Sequence, residues 1–323
     1  MSLETYSLLI IFIILVQVSV VILLINHHPR SDIQVIHQKN NEYLDLHSSA
    51  LFTPSQNLTL KNSQSWEEYR DFIVLHKHYE NFSETTCSFY LVPYDGRPLP
   101  SFMVGQNITV KIPINLYDYE QYGYLEQLCA LSDIPRSKYY RITLKKTDAT
   151  TNYFSQLMFE DIHAGNVLQL KAPQGKLYTT EDMSIPLVLI GFDIGIAPLM
   201  AILNSALKTV NNKPIWLFYA TQDGHEHIMR EHLNLLNKNH KNLNVCCFYS
   251  IPNQNDQKGK DFHRKGEINI SEIKNILKPN SYKFYLSGPS TEIKKLIPKL
   301  KEWSNGSEIY YLAFNDAFAL IEN

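Results

Sequence analysis

The sequence predicts an antiparallel β-barrel followed by a parallel-sheet α/β domain, preceded by one transmembrane helix. Three observations carry this. Residues 69–180 hold short runs of β-branched and aromatic residues separated by turn signals, and from Ile185 short apolar strands alternate with amphipathic helices. Twenty uncharged residues run from Tyr6 to Ile25. The expected divisions are an anchor at 1–26, a polar linker at 27–64, the barrel domain at 65–180 and the α/β domain at 181–323.

The apolar segment YSLLIIFIILVQVSVVILLI is long enough for ~30 Å of helix, the thickness of a bilayer core. It begins after Glu4 and ends at Asn26-His27-His28-Pro29-Arg30, without the basic start and small-residue cleavage site of a signal peptide. The expectation is an uncleaved, single-pass anchor. Arg30 and its neighbouring histidines place the later domains on the cytoplasmic side by the positive-inside rule. Residues 27–64 are rich in Asn, Gln, Ser and His with no sustained periodicity, and read as a tether. Its histidines (His27, His28, His37, His47) lack the spacing and company of a metal site.

Composition excludes other classes. A net charge of −2 gives no basic excess for a nucleic-acid partner. The four cysteines (Cys87, Cys129, Cys246, Cys247) have neither disulfide-framework nor zinc spacing and read as reduced packing residues. With 44% hydrophobic and 19% charged residues, the chain can bury a large core.

Within the barrel region, YRDFIVLHKHY, TTCSFYLVPYDGRPLP and NITVKIPI read as strands broken by Asp-Gly and Pro turns. KYYRITLKK (138–146) and NVLQLKAP (166–173) alternate and predict half-exposed antiparallel strands. In the second region the order is PLVLIG then APLMAILNSAL, PIWLFYA then EHIMREHLNLL, LNVCCFYS, SEIKNIL, KFYLSG then TEIKKLIPKLKEW, and IYYLAF. Apolar strands alternating with helices mean a parallel sheet covered on both faces.

From Trp66 to Phe314 these pieces resemble, in order, the ferredoxin-NADP reductase superfamily. The likeness is to the reductase module of flavohaemoglobins and of related membrane-anchored bacterial ferredoxin reductases. It rests on SFYLVPYDGRPLPSFMVGQ, ALSDIPRSKYYRITLKK, SQLMFEDIHAGNVLQLKAPQG, IGxxIGIAP and FYLSGPSTEIKKL. The resemblance implies a flavin-binding type barrel and a Rossmann-like nucleotide-binding α/β domain. It also implies FAD between them, a hydride taken from NADH or NADPH, and electrons passed on to an acceptor protein. The globin or ferredoxin domain that such modules accompany is not found in this sequence, so a separate acceptor is expected.

The resemblance also assigns site residues. The family's flavin motif Arg-x-Tyr-Ser-x-Ser aligns with Gln127, Cys129 and Ala130, followed by the retained Leu131 and Ser132. Loss of the arginine, tyrosine and serine removes about 4 kcal/mol of contact, roughly a thousandfold in affinity. The pyrophosphate motif Gly-Gly-x-x-Ser keeps Ser155, which is equally an ordinary helix N-cap. The dinucleotide turn Gly-Gly-x-Gly-x-Thr-Pro keeps Gly191, Gly195 and Pro198, but holds Phe192, Asp193 and Ala197 at other motif positions. Asp193 either turns away from a phosphate or caps the next helix; Phe192 either lies over a flavin or fills its slot.

The family's Cys-Gly-Pro is Ser287-Gly288-Pro289, with Ser287 at the position beside the nicotinamide carbon. Thr221 replaces a cofactor-binding arginine, which favours NADH over NADPH. Tyr311-Leu312-Ala313-Phe314 keeps the aromatic residue expected by the flavin and lacks the acid. The run Lys294–Lys301 reads as a solvated helix face, or a dock for an acidic electron carrier. His225, Glu226 and His227 fall in the family's second helix and are not expected to bind metal. Two functions follow. One is a membrane-anchored flavin-dependent NAD(P)H oxidoreductase, and the other a degenerate, non-catalytic reductase fold serving as a tethered binding or assembly module.

Overall fold

The computed structural model describes residues 65–116, 121–147, 149–175, 185–208, 213–304 and 306–315. The expected anchor and linker lie outside the described residues. No helix among the described residues is long and apolar enough to cross a membrane.

The first lobe contains β1 (Arg70–Tyr79), β2 (Thr86–Pro93), β3 (Asn107–Leu116), β4 (Gln121–Ala130), β5 (Tyr140–Lys145), α1 (Ala149–Glu160) and β6 (Val167–Leu170). Its strands form a six-stranded antiparallel sheet ordered β4-β3-β6-β1-β2-β5. A bridge between Leu131 and Ile142, with Ser132 N donating to Arg141 O at 2.9 Å, joins the end of β4 to β5 and closes the ring. This bridge brings the two end strands of the sheet together, and inward residues such as Phe72, Phe89, Ile108, Val110, Ile142 and Leu168 fill the interior.

β6 alternates exposed and buried residues as its sequence predicts, but β5 does not. Five of its six residues are buried, because the Leu131–Asp133 segment crosses its polar face. The Arg141 guanidinium donates to Ser132 O and, at 3.2 Å, to Ser132 Oγ. Thr143 Oγ1 lies 2.8 Å from both Ser88 Oγ and Ser132 Oγ. An apolar-cationic alternation normally marks a solvated face; here the cation is buried and hydrogen-bonded to Ser132.

The second lobe contains β7 (Leu187–Phe192), a 3₁₀ turn (Asp193–Gly195), α2 (Ile196–Lys208), β8 (Ile215–Thr221), α3 (Arg230–Asn239) and β9 (Leu243–Tyr249). It continues with β10 (Arg264–Lys265), α4 (Ile270–Ile276), β11 (Lys283–Pro289), α5 (Ser290–Trp303) and β12 (Glu308–Phe314). The strands form a six-stranded parallel sheet, β10-β9-β8-β7-β11-β12. β7 and β11 are buried almost throughout, as expected of strands covered on both faces. Apolar clusters lie on the two sides, one around α2 and the other around Phe218, Phe284, Leu296 and Leu300.

α3 starts at Arg230, later than the sequence predicts, so His225, Glu226 and His227 lie in the loop after β8. The cause is local: Asp223 Oδ1 accepts from His225 N at 2.8 Å and Glu226 N at 3.1 Å, and Met229 then adopts a left-handed φ of 54°. Such an aspartate turn competes with helix for the same backbone donors.

Candidate functional site

In an open parallel sheet, ligands bind beyond the carboxyl ends of the strands, where neighbouring connections diverge. Here β7 lies at the centre, with β8 on one side and β11 on the other. A crevice of about 240 Å³ opens at these ends, lined by residues that include Lys145, Phe192, Asp193, Thr221, Glu226 and Glu292. Glu267 and Ser250 complete its polar wall. Among the described residues its lining sets four carboxylates against the single cation of Lys145.

A second, narrow slot of about 20 Å³ lies where the barrel meets the start of α2. Gln127, Leu128, Cys129 and Ala130 of β4 and Thr143, Leu144 and Lys145 of β5 form one wall. Ile194, Ala197, Pro198 and Phe314 form the other. Lys145 lines both the slot and the crevice.

The turn after β7 explains how the lobes meet. Asp193 has φ +50°, a left-handed conformation that disfavours side chains bearing a Cβ. Its side chain keeps a quarter of its surface exposed, and its carboxylate pairs with Lys145 Nζ from the barrel. Lys145 Nζ also lies 3.8 Å from Glu226 Oε2. Burial raises the Asp193 pKa, against the opposing pull of the Lys145 charge. Asp193 Oδ1 is buried without a hydrogen-bond partner.

Glu226 is itself held by the barrel. Thr85 Oγ1 donates to Glu226 Oε2 at 2.8 Å, and Asn81 Nδ2 donates to the same oxygen at 3.3 Å. Backbone bonds run beside them, Met229 N to Glu80 O at 2.8 Å and Ser83 N to His225 O at 3.2 Å. The β1–β2 hairpin therefore clasps the loop after β8.

The glycines expected at the dinucleotide turn serve close packing. A Cβ on Gly195 would collide with the Ser287 carbonyl and stand 2.7 Å from Gly288 N, so the turn and the end of β11 touch backbone to backbone. A Cβ on Gly191 would press on Leu199 and the Ile196 backbone. Gly288, at φ +154°, faces Phe192, whose Cβ a side chain there would approach to 2.6 Å. Phe192 thus covers Gly288 and lines the crevice, and it is absent from the lining of the slot. Ser287 is fully buried, and its Oγ has no hydrogen-bond partner.

The structure brings together Gly195, Ser287 and Gly288, and places Pro198 and Phe314 opposite Cys129 and Ala130 across the slot. Pro289 pairs with Phe314 at the ends of β11 and β12. Leu131 and Ser132 turn inward: Leu131 packs in the barrel core, and Ser132 is fully buried, donating to Arg141 O at 3.2 Å. Ser155 Oγ donates to Lys145 O at 2.6 Å. Ser155 is not the N-cap; Asn152, with non-helical φ −155°, caps the helix by accepting from Ser155 N at 3.1 Å. Asn152 Nδ2 also donates to Gln127 Oε1 at 3.0 Å, tying β4 to the helix end. No group of three or more His, Cys, Asp or Glu able to hold a metal occurs among the described residues.

Sequence reasoning missed Lys145 and Glu226. In KYYRITLKK nothing distinguishes Lys145 from the more exposed Lys146, and its partner is distant in sequence.

A closed antiparallel barrel followed by a parallel α/β lobe, with clefts at their junction, defines the class of ferredoxin-NADP reductase-like modules. Comparison with known proteins agrees. The family "Oxidoreductase NAD-binding domain" matches residues 189–296. A flavohemoprotein of Bacillus cereus is 31% identical over 259 residues, which is 79% of this chain and 63% of that protein. One from Chromobacterium violaceum is 33% identical over 228 residues, 69% of this chain and 55% of its own length. The flavohem-like FAD/NAD binding domain of nitric oxide dioxygenase from Vibrio cholerae superposes with a TM-score of 0.65 at 25% identity. That superposition covers 77% of this chain and all of that domain. This chain belongs to the ferredoxin-NADP reductase superfamily and carries a reductase module of the flavohaemoglobin type. It spans less than two thirds of the length of these curated relatives.

Proposed function

We propose that this chain is a flavin-dependent NAD(P)H oxidoreductase. In this reading its apolar N-terminal segment tethers it to a membrane, its two lobes face the cytoplasm, and its electrons pass to a separate acceptor protein. The observation that carries the reading is the lining of the interlobe slot. Cys129, Ala130, Ala197 and Pro198 are small or compact, and Phe314 is flat, a lining whose chemistry suits the apolar edge of an isoalloxazine ring. The match to a named FAD/NAD binding domain supports it.

FAD, when bound, takes a hydride from the nicotinamide and releases electrons singly. In this chain Lys145 would offset its negative charge, while Pro198 and Phe314 would exclude water from the ring. Ser287, with its unused buried hydroxyl, would hold the nicotinamide carboxamide together with Gly288 and Pro289. Gly191 and Gly195 permit the close backbone approach at the dinucleotide turn. The carboxylates of Glu267 and Glu292 in the crevice oppose a 2′-phosphate, and Thr221 offers no cation for one, so NADH is the favoured donor.

The test is to purify the full chain in detergent, record its flavin absorbance with and without added FAD, and follow NADH-dependent ferricyanide reduction. A yellow protein that reduces ferricyanide is expected. A folded protein that takes up neither FAD nor FMN at any concentration would sink the reading. Membrane attachment is checked by comparing the fractionation of residues 1–323 with that of residues 27–323, and sidedness by protease protection.

One observation favours a second reading, a non-catalytic tethered module. Ligand sites usually offer roughly 300–1,000 Å³, whereas the slot measures about 20 Å³ and Gln127, Asn152 and Ser155 bond to one another or to the barrel. A colourless, well-folded protein indifferent to flavins would select this alternative.

A further inference from the structure

The groups at the aligned pyrophosphate motif and those on the β5 side of the slot are both satisfied by the protein's own partners. At the first, Asn152 takes up the Ser155 amide and links to Gln127. At the second, Lys145 reaches across from β5 to Asp193 and towards Glu226, and Glu226 is anchored on Thr85 and Asn81. Asp193 is a residue that packing alone does not explain. It holds a left-handed conformation that glycine adopts freely, and it leaves one carboxylate oxygen buried without a hydrogen-bond partner.

We propose that Asp193 determines flavin affinity in this module by holding Lys145 against the α/β lobe, which keeps the interlobe slot shut. The inference rests on the flavin-dependent reading above. Two observations make Asp193 the controlling element. Among the described residues Lys145 is the only cation lining either cavity, so whichever anion it pairs with fixes where the positive charge of the cavity walls lies. Asp193 is also attached to the turn that forms the far wall of the slot through Ile194 and Ala197, so the ion pair ties the two walls together. An anionic cofactor must displace this carboxylate from Lys145 before the walls can part. Because Glu226 stays fixed by the hairpin, release of Asp193 frees the turn without dissolving the contact between the lobes.

The experiment titrates FAD into the full chain and follows flavin fluorescence and thermal midpoint for the wild type, Asp193→Gly, Asp193→Asn and the double variant Lys145→Met/Asp193→Gly. Asp193→Gly should bind FAD about tenfold or more tightly than the wild type, a difference of about 1.4 kcal/mol. Asp193→Asn should show a smaller gain in the same direction, and it tests the charge alone should the glycine variant fold poorly. The double variant should lose the gain, because Lys145 is then no longer available to the cofactor. If the wild type already binds FAD and neither single variant tightens it, the proposal falls while the flavin-dependent reading stands. If no variant binds FAD although all give wild-type circular dichroism, both fall.

Discussion

His227 is 3% exposed, its Nδ1 2.7 Å from the Tyr249 hydroxyl and its Nε2 buried without a hydrogen-bond partner. Desolvation, helped by the nearby Arg230 charge, lowers its pKa to about 3. Its unfolded value is near 6.5. Below that pH the unfolded chain binds a proton that the folded chain does not, so the stabilisation is complete above about 6.5 and is lost as the pH falls towards 3. The expected loss from this residue is about 1.4 kcal/mol per pH unit across that window. Melting curves between pH 7 and pH 4 should therefore be steeper in pH for the wild type than for His227→Gln. Cysteine behaviour follows from burial too. All four thiols are free and buried, and desolvation raises Cys87 to about 12 and Cys246 to about 11. Ellman's reagent should find no rapidly reacting thiol in the native protein and four after denaturation in urea. A fast-reacting thiol in the native state would contradict the packing described for Cys129 in the slot wall.

Among the elements, β5 and the turn after β7 depend most on single groups. Arg141 and Asp133 are 6% and 5% exposed, and both the Arg141 and Arg136 charges hold the Asp133 carboxyl low against the effect of its burial. Arg141→Met would remove one of the two cations that hold Asp133 low and strip Ser132 O of its charged donor. It should cost about 3 kcal/mol in chemical denaturation. Gly195→Ala would drive a methyl into the backbone of β11 and should cost about 3 kcal/mol, the upper end of overpacking. Gly96→Ala is the contrast: φ is +67° but nothing lies within 4 Å, so only the conformational penalty of about 1 kcal/mol applies. The order of the two glycine variants is the checkable outcome. The same elements mark what could be read from sequence. β7, β8 and β11 were legible because covered parallel strands are continuous apolar runs, and the glycines at 191, 195 and 288 because they match motif positions of the family the sequence resembles. The burial of β5 was not, since it comes from residues 131–133 folding over it. The Lys145–Asp193 pair was hidden because its members are 48 residues apart, Lys145 reads locally as ordinary surface charge and nothing beside Asp193 in sequence points to a partner on the barrel. Thr85 and Glu226, 141 residues apart, were hidden for the same reason.

For the whole molecule, the contacts between barrel and α/β lobe decide whether the described chain unfolds as one unit. The clasp combines backbone bonds from Glu80 and Ser83, hydroxyl and amide bonds to Glu226, and Phe82 against His225 at a ring separation of 4.8 Å. Hydrogen bonds to a charged group contribute about 1.5–3 kcal/mol. Glu226→Ala should accordingly lower the stability of the lobe junction by about 2 kcal/mol. In calorimetry the wild type should give one transition with equal calorimetric and van't Hoff enthalpies, and the variant a broadened or split one. A single unaltered transition in Glu226→Ala would mean that the backbone bonds suffice.

The clasp also has a temporal side. Asn81 is made 145 residues before Glu226, and a ribosome adds roughly 5–20 residues per second, so on the order of ten seconds pass between the two. Every strand of the barrel is translated before Glu226, which allows the first lobe to close while the second is still being made. The Glu80 carbonyl and Thr85 hydroxyl then wait in water as a preformed edge. The later lobe completes its own sheet against a surface that already exists, and the order of synthesis becomes part of how the two halves find their register.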